Sequence, residues 1–131
     1  HLYRREFEPS EQLDKPHVIL GYNVCAAETE AEAKLLRSSG LMAFLNLRQG
    51  RPGPLPKPDP NFEANLTSSD QAMLQQVSPA SAVGTVESVR EQVAEFLQRT
   101  QADELILVSQ IHDHQARCQS YDIAFEACAG L

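Results

Sequence analysis

The sequence predicts an α/β fold built on a parallel sheet. Strand-like and helix-like patterns alternate along the chain, which is the rhythm of βα units with right-handed crossovers. The sharpest strand, Leu105-Ile106-Leu107-Val108, is a short unbroken run of branched apolar residues. Strands in parallel sheets read this way because helices cover both faces. The run ends abruptly in a polar lip, Ser109-Gln110, and a helix begins after Asp113. Ligands of parallel α/β folds gather at such C-terminal strand ends.

Size and charge set the bounds. The chain has 131 residues, enough for one core but not two, and 42% of them are hydrophobic, too many for a disordered chain. No apolar run approaches the roughly 18 residues that a membrane span needs. The N-terminus, HLYRREFEPSEQL, lacks the apolar stretch of a signal peptide; it begins with His, and the expectation is a piece of something longer. Net charge is −7 and the 11 basic residues are scattered, which argues against a nucleic-acid partner. Cys25, Cys118 and Cys128 form no CxxC pattern and suit a reducing, cytoplasmic setting as small buried hydrophobes.

In chain order, residues 1–16 are polar and read as a lead-in loop closed by Pro16. His17–Cys25 is the first strand, with Val18, Ile19, Leu20, Tyr22 and Val24 nearly continuous. Gly21 and Asn23 share one face by strand alternation. Gly21 suggests close approach of another backbone, and Asn23 is a polar side chain that needs a partner if buried. Thr29 and Glu32 have capping-box spacing and open a helix running to about Arg48, with Gly40 as a weak point.

Residues 49–60 hold five prolines and two glycines, so neither helix nor central strand survives there. This stiff loop suits a lid, a partner surface or a plain surface crossing, and Arg48 and Arg51 beside Gly50 suit either an anion or solvent. Ser68 and Gln71 predict a short capped helix carrying Met73, Leu74 and Val77. Ala80–Gly84 is a short strand, and Thr85 caps the next helix. There Val86, Val89, Val93, Phe96 and Leu97 fall at i, i+3, i+7, i+10 and i+11. The strand Glu104–Ser109 follows, and a last helix from Asp113 carries the stripe Tyr121, Ala124, Phe125 and Cys128.

Few residues announce chemistry. There is no GxGxxG, Walker loop, HExxH or GxSxG. His112 and His114 flank Asp113, yet residues two apart on a helix diverge and no third ligand lies nearby, so no metal site is expected. His112 at the strand lip suits a proton donor or hydrogen-bond partner, because imidazole titrates near neutrality. The bland alternative leaves it solvated beside a capping Asp113. Val83-Gly84-Thr85 offers amides at a helix N-terminus, a common anion site.

EFEPSEQLDKPHVILGYNVCAAETEAEAKLL, FLNLRQGRPGPLPKP and VGTVESVREQVAEFLQRTQADELILVSQIHDHQARCQSYDIAFE together resemble the C-terminal part of luciferase-like flavin-dependent monooxygenases. The LRQGRPGPLP and ADELILVSQIHDH stretches are the most specific. Val86 stands where the family usually has proline. The resemblance implies residues 1–131 as a single partial domain, the C-terminal section of a TIM (β/α)8 barrel with about three parallel strands, its last three. The unit from Thr85 to Ser109, about 25 residues, is near the roughly 30 expected per barrel repeat. The implied cofactor is reduced FMN, with the deazaflavin F420 in some branches, acting with oxygen on a small organic substrate. Asn23 and Ser109 are the expected cofactor- or substrate-facing residues and His112 the expected catalytic one. Much of the phosphate site lies on earlier strands, so the chain is expected to be inactive alone. The alternatives are a truncated α/β module for protein association through open sheet edges, as in a homo-oligomer, and a small-ligand binder without redox chemistry.

Overall fold

At the centre of the sheet lies β1 (Ile19–Ala26), with β2 (Ser81–Gly84) on one side and β3 (Glu104–Val108) on the other, both parallel to it. This computed structural model describes residues 2–76 and 78–131; Val77, expected on an apolar helix face, lies outside the described residues. The α/β class and the parallel sheet are as the sequence predicts. The order of the strands differs from that of consecutive staves. Successive strands of a (β/α)8 barrel lie side by side, which would put β2 in the middle. Instead β1 and β3 are direct neighbours, with Leu20 opposite Leu105 and Tyr22 opposite Leu107. Ser81–Gly84 is four residues long and matches only the C-terminal end of β1, Asn23–Ala26. The reading of all three as successive staves is corrected accordingly: β1 and β3 are adjacent, and β2 is a short edge strand.

Five α-helices connect and cover this sheet among the described residues. The first, α1 (Leu2–Arg5), sits in the stretch expected to be loop, and Arg4 donates to the Thr100 carbonyl at 2.8 Å. Thr29 caps α2 (Glu30–Arg48), accepting the Glu32 amide at 3.2 Å. For α3 (Ser68–Leu74) the cap is Thr67, not Ser68, with Asp70 completing the reciprocal box. A Thr-x-x-Asp pair one residue upstream satisfies two orphan amides at once, which Ser68 and Gln71 do not. At α4 (Val86–Thr100), Thr85 occupies the cap position but its hydroxyl donates to Glu87 at 2.9 Å instead. Asp113 caps α5 (His114–Cys128) by accepting the Ala116 amide at 2.8 Å.

The core lies on one face of the sheet. Tyr22, Val24 and Ala26 of β1 pack against Val89, Val93 and Phe96 of α4 and Ala124 and Ala127 of α5. Tyr22 and Phe96 rings meet with centroids 4.6 Å apart. Each fully buried valine or phenylalanine here contributes about 1.5–3 kcal/mol of transfer free energy. The α4 stripe is as its periodicity predicts. The α5 stripe is rotated by one residue: Ser120, Ala124 and Ala127 are buried, whereas Phe125 is 80% exposed. Small side chains let α5 approach β1 closely, and the larger residues turn outward.

The opposite face is only partly covered, contrary to the expectation of two helix-covered faces. Ile19, Ile106 and Val108 are 49%, 59% and 41% exposed on it. Gly21 lies there too, with nothing within 4 Å of where a Cβ would sit, so no backbone approaches it. Only at the C-terminal end does α2 cross this face, where the buried Cys25 thiol donates to the Ala33 carbonyl at 3.3 Å.

Candidate functional site

Where α2 crosses the strand ends it roofs a cavity of about 160 Å³. Its floor is the end of β1, Asn23 to Cys25, and Ser81 of β2 stands at one side. The roof is the α2 face formed by Arg37, Leu41 and Phe44, residues at i, i+4 and i+7 that a helix places in one row. Gln110, in the lip after β3, closes the other side. It presses on Gly40, where an added Cβ would lie 3.2 Å from the Gln110 Oε1. A glycine at this point of α2 thus serves close packing of helix on lip, and the helix runs through it unbroken.

The polar groups are few and placed. Arg37 is half-buried and donates to the Ser81 hydroxyl at 3.4 Å. Burial pushes the Cys25 thiol up to about 12, with the Arg37 charge opposing that shift, so Cys25 is a neutral floor and not a nucleophile at neutral pH. The Pro-rich loop 49–60 does not cover this cavity. Its far end is tied to the back of α2 by the Asp59 amide, which donates to Ser38 Oγ at 2.9 Å. Arg48 lies over the Phe44 ring at 5.9 Å, and Arg51 bonds to Gln49.

The structure separates the residues singled out from the sequence. Asn23 lines the cavity. Ser109 does not: it follows Leu105 and Leu107 on the helix-covered face, as strand alternation requires. Its hydroxyl donates to Ser120 Oγ at 3.3 Å and its amide to the Tyr121 phenol oxygen at 3.0 Å. Ser120 Oγ in turn accepts the Ala26 amide at 2.9 Å. Ser109 therefore locks the ends of β1 and β3 to α5. His112 is exposed in the turn before α5. His114 pairs with Arg117 at 2.9 Å on the α5 surface, and no cluster of three metal-ligating side chains exists among the described residues.

The Thr85 amide at the α4 N-terminus is taken from within. Glu30 Oε1 accepts the Thr85 amide at 3.2 Å and also the Ser88 hydroxyl. The Ser88 bond first, then the Thr85 amide, holds the Glu30 carboxyl below its ordinary range. A free anion is therefore not required there. Gln110 belongs to the polar lip that the sequence marks, and it lines the cavity. Arg37 and Phe44 were missed by sequence reasoning; their signal was the i, i+4, i+7 row on α2.

A parallel sheet whose strand ends open onto a small mixed cavity has the layout in which α/β folds gather ligands at the C-terminal mouth. The chain is 39% identical over 126 residues to a luciferase-like monooxygenase of Escherichia coli (strain K12), covering 96% of this chain and 38% of that protein. It is 33% identical over 122 residues to the uncharacterized protein YvbT of Bacillus subtilis (strain 168), covering 93% of this chain and 36% of that one. The crystal structure of apo-MsnO8 superposes with a TM-score of 0.81 at 33% identity, over 95% of this chain and 39% of that chain. No protein-family model matches. By sequence and fold together the chain is similar to luciferase-like monooxygenases, and it spans less than two-fifths of the length of the curated relatives it matches.

Proposed function

We propose that this chain forms the C-terminal part of the wall and one side of the active-site mouth of a flavin-dependent, luciferase-like monooxygenase with a closed barrel. The observation that carries this reading is the bare apolar face of β1 and β3, Ile19, Ile106 and Val108, which leads into the cavity at the strand ends. A barrel interior is lined by such branched residues in layers, and beyond the C-terminal end that α2 crosses the described residues leave this face largely uncovered.

The cavity alone does not accommodate a whole flavin. About 160 Å³ is close to the roughly 150 Å³ that holds one benzene ring. The residues present suit one edge of a larger group or a small substrate: an apolar wall from Leu41 and Phe44, amide side chains from Asn23 and Gln110, and the Arg37 cation. Reduced FMN, in preference to F420, would supply the oxygen-activating chemistry from the open side. This chain's residues bind, orient and exclude water. Asn23 offers a hydrogen bond at the floor, and His112 is the proton donor at the lip. Ser109 contributes by holding that lip, not by contact. Without the remaining wall the chain does not turn over substrate. No helix among the described residues is long and apolar enough to cross a membrane.

Titration of the full-length gene product with reduced and oxidised FMN, followed by flavin fluorescence, tests the reading. Saturable binding is expected; a full-length protein that binds neither FMN nor F420 overturns it. A second reading, self-association of the chain through the uncovered face or the free edge of β3, rests on the same exposed residues. Sedimentation that shows only monomer at high concentration removes it.

A further inference from the structure

We infer that the cavity between α2 and the strand ends takes a small aromatic or compact apolar molecule bearing a carboxylate, with Arg37 as its anchor. The inference deepens the monooxygenase reading by naming the class of substrate, and calling the ligand a substrate rests on that reading; the binding itself does not.

Arg37 carries the weight. Its guanidinium is half-buried on the roof of the cavity, and the bond at 3.4 Å to the neutral Ser81 hydroxyl leaves its charge uncompensated. The ion pairs among the described residues join Arg5 to Glu6 and His17 to Glu104, so no carboxylate lies within 4.0 Å of Arg37. Glu63 shares the neighbouring hollow with Arg37 but is not paired with it. A partly desolvated guanidinium favours an anionic oxygen acceptor, and its planar fork fits a carboxylate through two parallel bonds.

The remaining walls set the body of the ligand. Phe44 and Leu41 give an apolar surface, and the volume of about 160 Å³ matches a single ring. Gln110, pressed against Gly40, bounds the far side of the slot. Cys25 beneath is neutral and adds no competing charge. The net result is one cation over one ring-sized apolar slot, which distinguishes a carboxylate from the corresponding amide.

Benzoate, benzamide and inorganic phosphate are the probes. The 131-residue chain, labelled with nitrogen-15, is titrated with each while amide and Arg side-chain resonances are followed. Benzoate is expected to shift the Arg37 side chain and the Gly40 and Gln110 amides saturably. Arg37→Gln is expected to weaken benzoate about tenfold, the size of one charge-assisted bond, and to leave benzamide within about twofold. Arg37→Lys is expected to recover part of the loss, and Phe44→Ala to weaken both aromatic probes, provided each variant keeps the wild-type spectrum elsewhere. Absence of saturable shifts with benzoate, or equal weakening of benzoate and benzamide by Arg37→Gln, overturns the inference. Phosphate binding at the same residues as tightly as benzoate also overturns it, because the site would then read a phosphate and not a carboxylate. No probe contains flavin, so this result and the flavin titration of the full-length protein fail independently.

Discussion

The Glu30 carboxylate, in the first turn of α2, accepts the Thr85 amide at 3.2 Å at the start of α4. Two helices far apart in sequence are thereby joined end to end, and the anion-binding character of one N-terminus is satisfied by the other's acidic first turn. The Glu30 carboxyl is held below its ordinary value of 4.5, first by the Ser88 hydroxyl and then by that amide. A depressed carboxyl contributes stability that is present above its unfolded-state value and lost as pH falls through the folded-state value. Glu30→Gln is therefore expected to lower Tm at pH 7. The difference from wild type should shrink as pH drops below about 4.5 and vanish once Glu30 is protonated in both states. Thermal melts by circular dichroism from pH 7 to pH 2.5 check this; a gap independent of pH would show that the carboxylate's charge is not what matters.

Gly84 makes that junction possible. Its φ is +137°, and a Cβ there would lie 2.5 Å from Glu30 Oε1 and 2.7 Å from Ser88 Cβ. Gly84→Ala is expected to cost about 1–3 kcal/mol through the backbone conformation alone, with the clash added to it. Glu30 is the flexible partner and Ser88 Cβ the rigid one. The double variant Gly84→Ala with Glu30→Ala should therefore be less destabilised than the sum of the single variants, by about 0.5 kcal/mol or more. Urea midpoints of the four proteins measure it, and strict additivity would mean that the two residues do not meet.

Two fully buried serines should respond in opposite ways. Ser120 Oγ accepts the Ala26 amide at 2.9 Å and the Ser109 hydroxyl at 3.3 Å, whereas Ser39 Oγ has no hydrogen-bond partner among the described residues. Ser120→Ala leaves a buried amide unpaired and is expected to cost about 1–3 kcal/mol. Ser39→Ala removes an unsatisfied hydroxyl from a helix and is expected to raise stability by about 1 kcal/mol. Denaturation by urea separates them, and a loss at Ser39 equal to that at Ser120 would contradict the assignment.

How much of this was readable beforehand depends on what each residue does. The α4 helix was fully legible because Val89, Val93 and Phe96 are large, apolar and correctly spaced. The face of α5 was read one residue off because Ser120, Ala124 and Ala127 do the burying, and small side chains carry little periodic signal. Alternation along β1 puts Asn23 on the face of Gly21, and the structure has it lining the cavity; the same alternation through Leu105 and Leu107 assigns Ser109 to the helix side. Strand order was not legible, because pairing of β1 with β3 is a contact across more than 80 residues that no local pattern encodes. The cavity roof was missed for a related reason. Arg37 and Phe44 became neighbours of the strand ends only through the path of α2 across the sheet.

The lip before α5 holds two adjacent residues whose roles separate by experiment. Asp113 accepts the Ala116 amide at 2.8 Å and starts the helix, while His112 next to it is exposed. Loss of an N-cap costs typically about 1 kcal/mol, so Asp113→Ala should lower stability by that amount. His112→Ala removes an exposed side chain and should change stability by less than about 0.5 kcal/mol. On the monooxygenase reading proposed above, the ranking reverses in the full-length protein. If His112 donates a proton at the mouth, its removal lowers kcat about a hundredfold, the lower end of general acid catalysis, and removes one limb of the pH–rate profile. Asp113→Ala should alter kcat far less than that, because it shifts the lip without removing the donor. Steady-state kinetics with urea melts on the same two variants settle the matter. Unchanged turnover in His112→Ala would leave the histidine as a solvated neighbour of a helix cap, and the mouth would then rest on Asn23, Arg37 and Gln110.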